Sequence, residues 1–150
     1  MALRQIVREG DPVLRKISRP VEVFDERLWT LLDDMADTMY RAEGAGLAAP
    51  QVGVLRRVVV IDVGEGLIEL VNPVIVKKSG KQEEVEGCLS CPGQSGVTRR
   101  PMRVTVEAQN RRGKPITLSG DGLLARAFCH EIDHLDGILF KDNAIRMLDE

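Results

Sequence analysis

No stretch of this 150-residue sequence approaches the roughly 18 consecutive apolar residues that a helix needs to cross a bilayer. The opening residues, MALRQIVREG, carry Arg4, Arg8 and Glu9 and lack the apolar centre of an export signal, so a cytoplasmic protein is expected. Cysteine is scarce and odd in number, at three, which argues against a disulfide framework and leaves the thiols for packing or metal chemistry. Histidine is scarcer still, with only His130 and His134. Nor is there an excess of one charge. A formal net charge of −2 gives no support to nucleic acid or an anionic membrane as the main partner. Repeats, low-complexity tracts and linkers are missing too, so a single domain over 1–150 is expected.

What is present is ordinary in bulk and informative in pattern. At 43% apolar and 29% charged, the chain has the composition of a globular domain with its own core. Asp11 before Pro12 opens a short helical turn. From Asp25 to Tyr40 the apolar residues Leu28, Leu31, Leu32, Met35, Ala36 and Met39 recur at helical spacing, with Asp25 as a cap, until Gly44 and Gly46 break the pattern. Val58 to Ile61 and Leu67 to Val71 read as short strands. Met102, Val104, Val106 and Ala108 alternate with polar residues, and a turn at Asn110 to Gly113 leads into Ile116-Thr117-Leu118, so a hairpin is expected. Ser119 to Gly122 reads as turn and cap ahead of a helix over Leu123 to Leu135, with Gly137 where a left-handed cap is wanted. The arginine doublets at 56–57, 99–100 and 111–112 are expected beside turns. Helix first, strands in the middle and helix last is an α+β order.

The second helix carries the chemistry. In His130-Glu131-Ile132-Asp133-His134 the histidines sit four apart, about 40° around a helix, so both imidazoles project from one face and can share one metal ion. Glu131 lies beside that pair, within reach of a water on the ion without ligating it. A metal site with a general base is the reading. A third ligand is needed. No histidine follows His134, and the carboxylates beyond it are Asp136, Asp142, Asp149 and Glu150. A thiolate is the better candidate. Cys129 faces about 100° away from His130 on the helix, which leaves Cys88 and Cys91. Both together with both histidines would make a closed Cys2His2 structural site. Cys91 and His130 are 39 positions apart, however, against roughly 12 to 15 in a zinc finger, and a structural site has no use for Glu131. Cys88 is favoured as ligand and Cys91 as a packing residue, with a non-catalytic zinc module as the rival. A metalloprotease or other amidase built on the same helix is a further reading. Gly44 to Gln51 adds two glycines that let another backbone approach, and Gln51 offers an uncharged donor for an oxyanion.

Three motifs together, Gly44 to Gln51 (GAGLAAPQ), Glu86 to Ser90 (EGCLS) and His130 to His134 (HEIDH), resemble the signature of the peptide deformylases. The likeness extends through Gly10 to Arg15 (GDPVLR), Asp33 to Tyr40 (DDMADTMY) and HLDGILF ending at Phe140, nearly the whole chain. It implies antiparallel strands wrapped around a central helix that bears the metal motif. The activity implied is metal-dependent removal of the formyl group from the formyl-methionine of nascent peptides, by attack of metal-bound water assisted by Glu131. One divalent ion is implied at Cys88, His130 and His134, Fe2+ in the cell, with Zn2+, Ni2+ or Co2+ accepted. Gln51 and the Leu89 backbone N–H would hold the oxyanion, Gly46 would help hold the substrate backbone, and Glu86 would pair with Arg100. Departures from the family pattern are Ala45, Ser95, Cys91 and Cys129. The tail after Phe140 is short and not strongly basic, so ribosome docking is not carried over.

Overall fold

The computed structural model describes residues 2–148. After a 3-10 turn at Pro12–Arg15, capped by Asp11, comes helix α1 (Glu26–Arg41). Asp25 caps α1 by accepting from the backbone N–H groups of Arg27 and Leu28, which satisfies donors the first turn leaves free. Strands β1 (Gly46–Ala48), β2 (Val58–Ile61), β3 (Ile68–Ser79), β4 (Gln82–Cys88), β5 (Cys91–Arg100), β6 (Arg103–Gln109) and β7 (Pro115–Asp121) follow. Helix α2 (Leu123–Leu135), a single turn α3 (Phe140–Asn143) and strand β8 (Ala144–Met147) complete the order.

The strands form a five-stranded sheet, β1-β2-β3-β6-β7, and a three-stranded one, β4-β5-β8, with every strand pair antiparallel. Strand β2 shows how sequence makes this architecture. Its four residues are all fully buried, because successive side chains point to opposite faces and both faces are covered. Val59 and Ile61 pack with Leu70, Val104 and Val106 against Phe128, Ile132 and Leu135 of α2. Val58 and Val60 pack against Leu28, Leu31, Leu32, Met35 and Met39 of α1. The sheet is therefore sandwiched between the two helices, and α2, contacting β1, β2, β3, β5, β6 and β7, is the central one.

Two features bring distant segments to α2. The opening residues run as a strap. Ala2 and Arg4 donate backbone N–H groups to Asp34 and Thr38 of α1, Val7 to the carbonyl of Gln51, and Glu9 to the carbonyl of Ser90. The β4–β5 hairpin turns at Leu89-Ser90 and lays Cys88 beside α2.

Three local expectations need correction. Ser119, Gly120 and Asp121 belong to β7 rather than to a cap. Ser119 pairs with Thr105 and Asp121 with Arg103 across the hairpin, and only Gly122 precedes α2. Arg99 and Arg100 lie in β5, not at a turn, and the strand alternation exposes the first and buries the second. Met102 is exposed, just outside the buried alternation of β6. Gly137 follows α2 at φ +76°, the left-handed conformation expected there.

Candidate metal centre

Helix α2 presents His130 and His134 on one face, with their Nε2 atoms 3.3 Å apart. The turn after β4 places Cys88 Sγ 3.4 Å from His134 Nε2. The three donor atoms lie within 4.8 Å of one another, while Cys91 is fully buried against Leu14, Leu139 and Phe140 and is outside that group. Cys129 is packed in the core with Phe128 and Ile132, as its angle on the helix predicts. Of the carboxylates after His134, Asp136 pairs with Arg57 and Asp142 with Arg15, while Asp149 and Glu150 lie outside the described residues.

Glu86 fixes the tautomer of His130. It stands 2.9 Å from His130 Nδ1 and also accepts from Arg100 Nε (3.1 Å) and Nη2 (2.9 Å) and from Thr98 Oγ1 (2.5 Å). Burial alone would raise its carboxyl, but the hydrogen bonds from His130, Arg100 and Thr98 more than reverse this and hold it down to about 2. An ionised carboxylate only accepts, so His130 Nδ1 donates and its Nε2 lone pair is left for an ion. Arg100 in turn reaches Asp133 of α2 at 2.8 Å, which ties β5 to the helix. At His134, burial and then His130 hold the imidazole well below its ordinary value, so it is neutral, the form a metal requires. The Cys88 thiol is pushed up by its hydrogen bond with Cys91, then by burial and the Glu131 carboxylate. A cation at the donors would reverse that preference. Two imidazoles and one thiol converge beside a cavity, and this donor set fits a divalent ion with a position left open.

Glu131 is almost completely buried, and burial pushes its carboxyl up to about 7. Its Oε2 is 3.9 Å from His130 Nε2, and its Oε1 has no hydrogen-bond partner among the described residues. Gly46 lies against it: a Cβ at that position would stand 2.5 Å from Oε2. Gly46 is thus where the backbone of β1 can pass close to the carboxylate.

Gln51 is oriented by both ends of its amide. Its Oε1 accepts from Ala48 N at 3.0 Å, which turns Nε2 toward Ser90 Oγ (3.1 Å) and Cys88 Sγ (3.5 Å). Leu89, at the hairpin turn, rests its side chain where Gly44 has no Cβ. Gln51, Glu86, Cys88, Leu89, His130 and Glu131 line a cavity of about 380 Å³, whose apolar wall includes Ala45, Val85, Leu123 and Ala127. Arg126 closes one side by donating to the Val85 carbonyl and to Gln82 Oε1. Ser90, Thr98 and Asp133 escaped the sequence reading. Ser90 and Asp133 stand inside motifs already singled out, whereas nothing in the sequence around Thr98 marks it.

The family model described as polypeptide deformylase matches residues 3–149. The chain belongs to this family. A peptide deformylase of Acetivibrio thermocellus is 65% identical over 150 residues, covering all of this chain and 88% of that protein. The crystal structure of a peptide deformylase from Legionella pneumophila superposes with a TM-score of 0.91 at 51% identity, over 94% of this chain and 85% of that one. The peptide deformylase of Thermotoga maritima gives a TM-score of 0.93 at 43% identity, over 95% and 97%. The α+β architecture is therefore that of a deformylase, a metal-dependent hydrolase. Hydrolysis of the formyl amide at the start of nascent peptides is the activity of this family and of this chain, and the zinc-module and protease readings fall away. No helix of the described residues is long and apolar enough to cross a membrane.

Proposed function

We propose that Cys88, His130 and His134 hold one divalent ion, Fe2+ in the cell, and that Glu131 is the general base of deformylation. The observation that carries this is the convergence of one sulfur and two Nε2 atoms within 4.8 Å of one another, with Cys88 and His130 facing the cavity. Zn2+, Ni2+ and Co2+ suit the same mixed thiolate and imidazole set. Bound there, the ion would polarise the formyl oxygen and bring a water molecule toward neutral pKa.

The chain's own groups do the rest. The Glu131 carboxylate takes a proton from the attacking water and returns it to the leaving amine, a role suited to a carboxyl raised to about 7. Negative charge grows on the formyl oxygen, where Gln51 Nε2 and the Leu89 backbone N–H donate to it. Losing one such donor costs about 100- to 1,000-fold in rate. The backbone at Gly46 pairs with the extended substrate beside Glu131. A formyl carbon bears only hydrogen, so a narrow floor admits it, while the apolar wall receives the methionine side chain. The substrates are N-formylmethionyl nascent peptides in the cytoplasm.

Formate release from formyl-Met-Ala-Ser by anaerobically purified protein tests the reading. Glu131→Ala is expected to lose about 100- to 10,000-fold in kcat while keeping its metal. Full turnover in that variant would remove Glu131 from the mechanism.

A further inference from the structure

Cys91 is a fully buried thiol that deformylation does not use. It stands directly opposite Cys88 in the β4–β5 register, one residue on each side of the Leu89-Ser90 turn. The register shifts between Gly87 and Cys88, so the two cysteines are the ends of a four-residue turn, whose Cα atoms lie less than about 7 Å apart against the roughly 4.4 to 6.8 Å that a disulfide spans. The two side chains are neighbours in one apolar cluster with Leu14, Leu139 and Phe140.

Their surroundings differ. Cys88 lines the cavity, where a small solute reaches it, whereas Cys91 is shut inside the cluster and faces Cys88. The third thiol, Cys129, belongs to the separate core between α2 and the large sheet. One pairing is therefore open to the molecule, with one thiol that meets solvent and one that meets only its partner.

We propose that Cys88 and Cys91 are a peroxide-modification site that closes to a reversible disulfide. The Cys88 thiolate attacks one oxygen of hydrogen peroxide. A sulfur–oxygen bond forms, the oxygen–oxygen bond breaks, and the sulfur gives up two electrons as hydroxide departs and takes up the proton that the Cys88 thiol gave up, becoming water. The Cys91 sulfur then attacks the sulfenic sulfur. The sulfur–sulfur bond forms, the sulfur–oxygen bond breaks, and the second hydroxide leaves as water with the proton of the Cys91 thiol. Two thiols and one peroxide become one disulfide and two waters, and an external dithiol reverses the change. Without Cys91 the sulfenic acid has no neighbour to capture it and goes on to sulfinic and sulfonic acids, which a dithiol does not restore. On the reading of Cys88 as a metal donor, closure also removes the one sulfur ligand and releases the ion.

The test uses full-length protein loaded with Zn2+, which has no redox chemistry of its own. It is exposed to hydrogen peroxide and followed by thiol titration, intact mass, peptide mapping and a chromophoric zinc chelator. Wild type is expected to fall from three thiols to one. Its mass should drop by two hydrogens, with a Cys88–Cys91 link in the map, and one equivalent of zinc should be released and taken back after dithiothreitol. Cys91→Ser is expected to gain oxygen on Cys88 irreversibly. Oxygen accumulating on Cys88 at the same rate in wild type and Cys91→Ser would overturn the proposal. A metal-free arm separates the two assignments. A link formed there as well as in loaded protein, but with zinc retained, would overturn Cys88 as ligand and leave the pairing standing.

Discussion

Glu86→Gln changes one charge in a fully occupied site and keeps its shape. In the native protein the carboxylate accepts from His130, from two nitrogens of Arg100 and from Thr98. A glutamine offers one acceptor oxygen in place of two and points an NH2 group at a donor, so either His130 Nδ1 or the Arg100–Thr98 side loses its partner. The carboxyl is held at about 2 against an ordinary value of 4.5, which corresponds to about 3 kcal/mol of stability. That agrees with the roughly 3–5 kcal/mol expected when one member of a buried ion pair is removed. The sign follows from the direction. A lowered carboxyl adds stability above its unfolded value, and that stability is lost as pH falls from 4.5 through about 2. The dependence of stability on pH should accordingly flatten across this window in Glu86→Gln, and its denaturant midpoint at neutral pH should drop. With His130 as the proposed ligand, losing the group that orients it should also weaken metal affinity about 10- to 100-fold. Competition with a chelator of known affinity measures the second effect independently of the first. Unchanged metal affinity together with unchanged acid stability would refute the role assigned to Glu86.

Four further outcomes follow. Gly46→Ala places a methyl 2.5 Å from Glu131 Oε2, and with Glu131 as the proposed base a displacement of about 1 Å costs about 100-fold, so kcat should collapse with metal content intact; an unaltered kcat would contradict the close approach or that role. Gly137→Ala forces a side chain into φ +76° and 2.6 Å from the Arg15 carbonyl oxygen, and thermal unfolding should show a loss above the about 1–2 kcal/mol of the backbone conformation alone. Phe128→Ala empties the centre of the α2 core and should cost about 3–5 kcal/mol by urea unfolding. Chelation should abolish turnover and leave the far-ultraviolet circular dichroism in place, because neither large apolar cluster includes the donor atoms. Metal added back at 100 times its Kd should raise stability by about 2.7 kcal/mol.

Much of this fold is legible where burial is one-sided. The apolar stripes of α1 and α2 each face one sheet surface, so helical spacing shows in the sequence, and Asp25 marks a start because a helix needs an acceptor there. The β4–β5 hairpin is not legible for the opposite reason. The residues β4 buries are Gln82 and Glu86, both polar, and β5 includes Pro92, Gly93 and Gly96, so no apolar alternation announces either strand. The end of β7 misleads because Ser119 and Asp121 favour turns. In the folded chain they pair across the hairpin, and Gly120 makes room for Leu124. In the candidate site, His130, Glu131 and His134 are readable because one helix carries them all. Arg100 is expected beside Glu86 through the resemblance and pairs with it, whereas Thr98 on Glu86 and Ser90 on Gln51 come from a strand and a turn that only tertiary packing brings near.

The strap formed by the opening residues has a mechanical consequence. Gln51 and the Leu89-Ser90 turn sit on separate pieces of chain, and Val7 and Glu9 fasten one to the other through single backbone hydrogen bonds. The far end of the same strap is moored to Asp34 and Thr38, on the opposite side of the large sheet from α2. Slack introduced between those moorings, by lengthening the segment around Gln5, would let the two jaws of the cavity drift apart while both apolar cores stayed closed.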